Sequence, residues 1–405
     1  MMVSNVKRVP MPLRSLQALC LVNFFMADVR DGLGPFLGIF LTEHHWKADD
    51  IGWIMTVGGL AGLVATMPCG LAADASRNKR AVLVACCVLI TAATLLLWFF
   101  PNRYVVGFSQ VITGVSATFI APLLTGITLG LTGPSGFNHQ MGRNEAFNHG
   151  GNMSAAMLAG ALVIYWGTDV VFILMTGMAI CATLAVLAIR HGDIDNRVAR
   201  GLSGADDAAS APRLSVIITH PAVVTTGATL MLFHLANAAL LPMLSMRVAA
   251  MPDGEMSAGV YAAATVIISQ LVMIPVALFA AAKAGKYGYA AVLPLRAALA
   301  SVSAGPFFMI PVQVLDGVAA GLLGVAVPGY IVRLLEGSGH TNAGLSVVML
   351  LQGIGASFSP ALAGNIAATY SYRTAFAVLG GIAILALLLW WLRRLLAWDR
   401  QRQYD

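Results

Sequence analysis

Asp28, Arg30 and Asp31 lie close together inside an apolar run that extends over 16–41. An ionised side chain at the centre of a membrane helix costs about 2.5–3.5 kcal/mol on insertion scales, so such groups face a water-filled cavity or each other. Asp28 and Asp31, three apart, share a helix face, while Arg30 points toward the stripe of Asn23. Burial and a neighbouring guanidinium act on a carboxyl's proton affinity in opposite senses. A carboxyl whose surroundings alternate can therefore take a proton in one state and release it in the other. Asp28 or Asp31 is the expected carrier, and Arg30 the expected holder of an anionic group or of a charged Asp. The competing reading is a static Asp–Arg pair in helix packing, although buried pairs are a poor source of stability. Gly32, Gly34 and Pro35 loosen the helix just beyond, as in the broken helices of transporters.

Other polar side chains stand at comparable depth. His234 and Asn237 precede Pro242, and His234 is a group that titrates near neutral pH or binds a solute. Gln110 and Gln313 occupy matching places in two later runs, with Asp316 one turn beyond Gln313. In 143–152, Asn144 or Glu145 is expected to cap a helix, with His149 and Asn152 on a common face one turn deeper. Asn23, Arg30, Gln110, His149, Asn152, His234, Asn237, Gln313 and Asp316 together form the expected solute-binding set. For the Gln and His members, a hydrogen bond to a neighbouring helix is the alternative.

The elements that must position these groups follow from composition. Of 405 residues, 58% are apolar and 10% charged, against about 25% charged in soluble domains. Twelve apolar runs, from 16–41 to 373–397, are each long enough to cross a bilayer core of ~30 Å as a helix, and lipid leaves the backbone no other partner. The alternating pattern of a membrane barrel is absent. Most of the 24 Lys and Arg fall in alternate connecting segments. The opposite side keeps Lys47, Arg103, Arg247 and Arg373. The positive-inside rule then places both termini in the cytoplasm of a plasma-membrane protein. The net charge of +6 reads as topogenic, with no basic run interleaved with aromatics to suit nucleic acid. Cys20, Cys69, Cys86, Cys87 and Cys181 lie in apolar runs without a CxxC pair, so neither disulfides nor a metal site is indicated.

A Gly-, Ala-, Ser- and charge-rich stretch at 191–221 reads as a cytoplasmic linker. It separates a six-helix unit over 1–190 from a second over 222–405. The units repeat: Gln110-Val-Ile-Thr-Gly114-Val returns as Gln313-Val-Leu-Asp-Gly317-Val, Leu158-Ala-Gly160 as Leu362-Ala-Gly364, and Pro35 and Pro68 as Pro242 and Pro275. Parallel six-helix repeats place a solute site at their interface near the bilayer midplane.

With these features the chain resembles the major facilitator superfamily. The most specific local match is the loop Gly70-Leu-Ala-Ala-Asp74-Ala-Ser-Arg77-Asn-Lys79-Arg80, similar to the family's Gly-x-x-x-Asp-Arg-x-Gly-Arg-Arg/Lys signature. Gly70, Asp74 and Lys79 match; Ala75, Arg77 and Asn78 depart. An acid beside bases can pair with a basic helix end or a helix N-terminus, which makes Gly70, Asp74, Arg77, Lys79 and Arg80 a candidate cytoplasmic gate. The basic members also serve topology. The loop Lys283-Ala-Gly-Lys286 is a degenerate copy. Gln110 stands where many members carry an Arg tied to proton coupling. Segments 151–160 and 355–364 are similar to the family's antiporter pattern, and only the second, with Pro360, keeps its proline.

The expected fold is an all-α membrane protein, with 12 transmembrane helices in two pseudo-symmetric six-helix bundles. The expected function is secondary transport of a small organic solute by alternating access, coupled to protons and directed outward. Uptake of an organic anion or metal chelate by proton symport is the alternative, and a non-transporting receptor or scaffold is the rival from another class. No Walker loop, dinucleotide fingerprint or catalytic motif stands in a suitable context. The chain is accordingly expected not to be an enzyme and to use no cofactor or metal, with the proton gradient as its energy source. Its partners are expected to be its solute and membrane lipid, as a monomer.

Overall fold

The structure, a computed structural model, describes residues 12–31, 33, 35–46, 48–202, 214–240, 258–283 and 309–402. The helices are α1 (Leu13–Asp31), α2 (Pro35–Glu43), α3 (Ala48–Ala75), α4 (Lys79–Phe99), α5 (Arg103–Trp166) and α6 (Asp169–Ala188). They continue with α7 (Leu214–Ile218), α8 (Pro221–Asn237), α9 (Ala258–Lys283), α10 (Met309–Leu334), α11 (Thr341–Thr369) and α12 (Tyr372–Arg402). No strand occurs among the described residues. Seven of these helices, α3–α6 and α10–α12, are long and apolar enough to cross a membrane.

The first expected span is two helices, α1 ending at Asp31 and α2 starting at Pro35. The fourth and fifth expected spans both fall in α5, where two helices meet at a kink at Gly133. There φ is 64° and Pro134 follows, a left-handed conformation that glycine adopts without steric cost. Side chains cap the entries: Asn78 accepts from Ala81 N–H at α4, and Asn102 accepts from Val105 N–H at α5, satisfying amides that would otherwise be orphaned. The expected span over 289–310 and the loop 284–286 lie outside the described residues.

Each half has its own apolar packing. In the first half Phe172 stacks on Trp98, with ring centroids 5.3 Å apart, and meets Phe40 edge-on at 4.8 Å. In the second, Phe376 and Leu379 of α12 pack with Ala239 and Leu240. Side chains such as Val64, Leu184 and Leu388 stay exposed, as an apolar solvent around the bundle permits.

The sequence repeat appears in matching close approaches. A Cβ at Gly151 would lie 2.8 Å from the Phe24 carbonyl carbon and 3.0 Å from its Cα; at Gly355 the same distances hold to Met231. Helices α5 and α11 therefore touch the backbones of α1 and α8 in the same way, which only glycine allows.

The linker is partly built into the fold. Residues 191–202 form two 3₁₀ turns, His191–Asp193 and Val198–Arg200, against the first half. Ala199 is fully buried, and Asp195 N–H donates to Gly130 O at 3.1 Å. The Gly-, Ser- and Asp-rich remainder, 203–213, lies outside the described residues.

Candidate functional site

A cavity of about 500 Å³ lies between the two halves, lined by α1 and α5 on one side and by α8, α9, α10 and α11 on the other. Arg30 faces it from α1, one and a half to two helical turns (about 7 residues) beyond Asn23, which also lines it and donates to Leu19 O at 2.8 Å. Glu145, Asn148, His149 and Asn152 line it from α5. His234 and Asn237 enter from α8, Gln270 from α9 and Gln352 from α11. Apolar side chains such as Met26, Leu124, Phe233 and Leu323 complete the wall, which suits a small organic solute with both apolar and hydrogen-bonding parts.

These side chains are held in place. Asn144 accepts from Gln140 Nε2 at 2.8 Å and donates to Thr128 Oγ1 at 2.9 Å, fixing the kinked halves of α5 against one another. His149 Nδ1 meets Gln270 Oε1 at 2.8 Å, a bond across the two halves. Its Nε2 is 3.8 Å from Glu145 Oε2. Arg30 lies within electrostatic reach of both Glu145 and His149. Behind the cavity wall, Asn237 Nδ2 donates to Asp316 Oδ1 at 3.3 Å, and Ser269 Oγ donates to Gln313 Oε1 at 2.7 Å.

The end of the bundle that carries the basic loops is closed. Asp74, at the end of α3, is buried and sits on the N-terminus of α11. Its carboxylate accepts from Ala343 N–H at 2.8 Å, from Asn342 Nδ2 at 2.8 Å and from Asn342 N–H at 3.3 Å. It caps, from the opposite half, a helix whose own N-cap, His340, supplies no side-chain bond. Gly70 makes this possible: a Cβ there would lie 2.6 Å from Ser346 Cβ and 2.9 Å from Asn342 O. Lys79 is almost fully buried and within electrostatic reach of Asp74, and donates to Ser76 O at 2.8 Å. An apolar layer completes the seal, with Leu129, Phe137 and Met141 of α5 against Ala277 and Ala280 of α9 and Leu322 and Val325 of α10.

The family model described as Major Facilitator Superfamily matches residues 19–315. The chain belongs to the major facilitator superfamily. It is 39% identical over 388 residues to uncharacterised MFS-type transporters from two strains of Mycobacterium tuberculosis, covering 93% of this chain and 92% of theirs. Its fold is similar to that of the human organic anion transporter MFSD10 (TETRAN), with a TM-score of 0.70 at 14% identity, covering 94% of this chain and 100% of that one. It is likewise similar to FucP in the outward conformation, with a TM-score of 0.70 at 13% identity, covering 92% and 97%. At these identities the likeness concerns the fold. Membership makes this a multi-pass membrane protein engaged in secondary transport.

On this facilitator fold, six of the residues expected to bind solute line the cavity: Asn23, Arg30, His149, Asn152, His234 and Asn237. Gln110, Gln313 and Asp316 are not brought to it. Gln110 packs against Gly58 of α3, Gln313 is fully buried on Ser269, and Asp316 stands behind Asn237. Asp28 is half-buried in α1 and also outside the lining, and the Asp31 side chain lies outside what the structure describes. In the gate, Gly70, Asp74 and Lys79 meet at the junction with α11. Arg77 is exposed, and Arg80 donates to Val186 O at 3.2 Å and Leu187 O at 2.9 Å within its own half.

Glu145, Gln270 and Gln352 were not expected in the cavity. Glu145 reads as a cap only if a helix starts near 143. The helix instead resumes at Pro134, so Glu145 lies about three turns inside it. The signal was available in Gly133-Pro134, a junction that commonly begins a helix.

Proposed function

We propose that the protein moves a small organic solute across the plasma membrane by proton-coupled alternating access, in the outward direction. The carrying observation is the cavity itself: it lies between related halves, sets amides, imidazoles and two ionisable groups among apolar side chains, and at the basic end the Asp74 cap and an apolar layer cross from one half to the other. With the basic end and both termini in the cytoplasm, this state is closed to the cytoplasm, and rocking of the halves about the cavity would break the Asp74 cap and the apolar layer together. Asp28, Asp31 and Arg30 supply the proton chemistry. Charges this costly in a membrane helix are hard to reconcile with a receptor or scaffold that never turns over. The outward direction follows from the likeness of 151–160 and 355–364 to the antiporter pattern. The glycines at 151 and 355 bring α5 and α11 against the helices that line the cavity.

One observation favours a second reading. Arg30 faces the cavity, and a guanidinium there suits an organic anion taken up with a proton. Purified protein in proteoliposomes under an imposed pH gradient separates the two, by counterflow of anionic against cationic solutes. Flux that follows the gradient, and is lost in Asp28→Asn or Asp31→Asn, is the expected result. Undiminished pH-driven flux in both folded variants overturns their assignment.

A further inference from the structure

We infer that Glu145 and His149 hold an exchangeable proton whose retention is set by Gln270 of the opposite half. The inference deepens the transport reading, on which its role in turnover rests. Among the described residues that line the cavity, Glu145 is the acidic one. It reaches across the interface: a Cβ added to Gly324 of α10 would lie 3.2 Å from Glu145 Oε2. That carboxyl therefore rests against the backbone of the other half at the cavity wall.

The bond to Gln270 fixes which way His149 presents its proton. In this orientation of the Gln270 amide Oε1 lies 2.8 Å from Nδ1, and with a carbonyl oxygen there Nδ1 is the donor. In a neutral imidazole Nε2 is then the acceptor. That Nε2 is buried, has no hydrogen-bond partner, and faces Glu145 Oε2 at 3.8 Å. Two acceptors turned toward each other repel. The arrangement is satisfied by one additional proton, on the Glu145 carboxyl or on Nε2, shared along that line. The charged group facing the pair is Arg30 from α1. His234 of α8 enters the same cavity, and α9, α10 and α11 present Gln270, Gly324 and Gln352, which do not titrate.

Gln270 belongs to α9, in the half that moves away when the basic end opens. Its departure frees Nδ1 to give up its proton to water in the newly opened basic half, while the shared proton settles on Nε2 and leaves Glu145 as the carboxylate. The pair goes from two protons to one, so one proton is taken up from the other side and one released per cycle. The closure that traps the solute and the bond that retains the proton are thus the same movement. A seal could hold solute without this bond; the cross-half bond is what ties release of the proton to the opening of the basic end.

The test uses the full chain in lipid and the proton as probe. Infrared difference spectra are recorded across a pH titration for the wild type, Glu145→Gln, His149→Gln and Gln270→Met. The expected result is a titrating protonated-carboxyl band that disappears in Glu145→Gln and shifts in frequency in His149→Gln. In Gln270→Met the loss of one hydrogen bond should reduce it roughly three- to fivefold at the wild-type midpoint. A band of full amplitude in folded Glu145→Gln, or an unchanged band in Gln270→Met, overturns the inference. If Glu145→Gln does not fold, the other two variants decide alone. The failure of the transport reading looks different: the band behaves as expected, yet reconstituted vesicles show no pH-driven solute flux. Flux without the band leaves transport standing and removes the proton pair.

Discussion

Asp74→Asn should open the basic end. Asp74 accepts three hydrogen bonds from the first turn of α11, two of them at 2.8 Å, and bonds to a charged acceptor contribute about 1.5–3 kcal/mol each. An asparagine keeps one acceptor oxygen but turns its NH₂ toward a backbone N–H, so at least one charge-assisted bond is replaced by facing donors. It also removes the negative charge from the positive end of a helix, which contributes about 0.3–1 kcal/mol. The combined loss is roughly 2–4 kcal/mol, or a shift of about 30- to 700-fold in the ratio of closed to open. Spin labels at Arg77 and Arg333, both exposed at the basic end, on a background lacking the exposed Cys181, read the separation of the halves by pulsed dipolar spectroscopy. A single short distance is expected in the wild type and a second, longer population in Asp74→Asn. Gly70→Ala should give the same result by another route. Its Cβ would stand 2.6 Å from Ser346 Cβ, whereas carbon atoms rest at about 3.5–4.0 Å, so the helices must part by about 1 Å and stretch the 2.8 Å bonds beyond range. If both variants keep the wild-type distance distribution, Asp74 does not hold the halves together and the reasoning fails.

Gly151→Ala and Gly355→Ala should each cost about 1–3 kcal/mol by overpacking α5 on α1 or α11 on α8. Both should lower the thermal unfolding midpoint by similar amounts, and a large difference between them would contradict the matched geometry. Burial, and then the nearby Arg200, hold the His340 imidazole below its ordinary range. A depressed histidine contributes stability at neutral pH that is lost as pH falls through and below about 6.5, the unperturbed value. Acidification should therefore favour an open basic end in the spin-label assay, and His340→Gln should flatten that dependence.

Much of this was legible along the chain. The loop pointed to Asp74 as a group that pairs with a basic helix end or a helix N-terminus, and the structure puts it on the latter; the small residues of 151–160 and 355–364 pointed to close helix approach, met at Gly151 and Gly355. Arg30 could be placed in a cavity from the cost of its charge. Glu145 could not be read in the same way. The segment 134–145 is polar, and a hydropathy argument therefore ends the membrane helix too early. The helix runs on because α1 and α9 cover that segment, so its polar groups meet protein instead of lipid. Gln110, Gln313 and Asp316 fail to reach the cavity for a related reason: matched depth along an axis does not say which way a side chain points around it.

The sequence alone determined the apolar solvent, the helical build and the two-fold repeat, because these depend on sums over many residues. It pointed to Gly70, Asp74 and Lys79 for a different reason: they stand in a short polar loop at a helix end. Which side chains share one enclosed space was decided by the tertiary structure. That outcome depends on helix rotation and on where two backbones touch at glycine, as at Gly70 against α11. It placed Glu145 and His149 across from Gln270, about 120 residues away along the chain, where a single hydrogen bond joins the two halves.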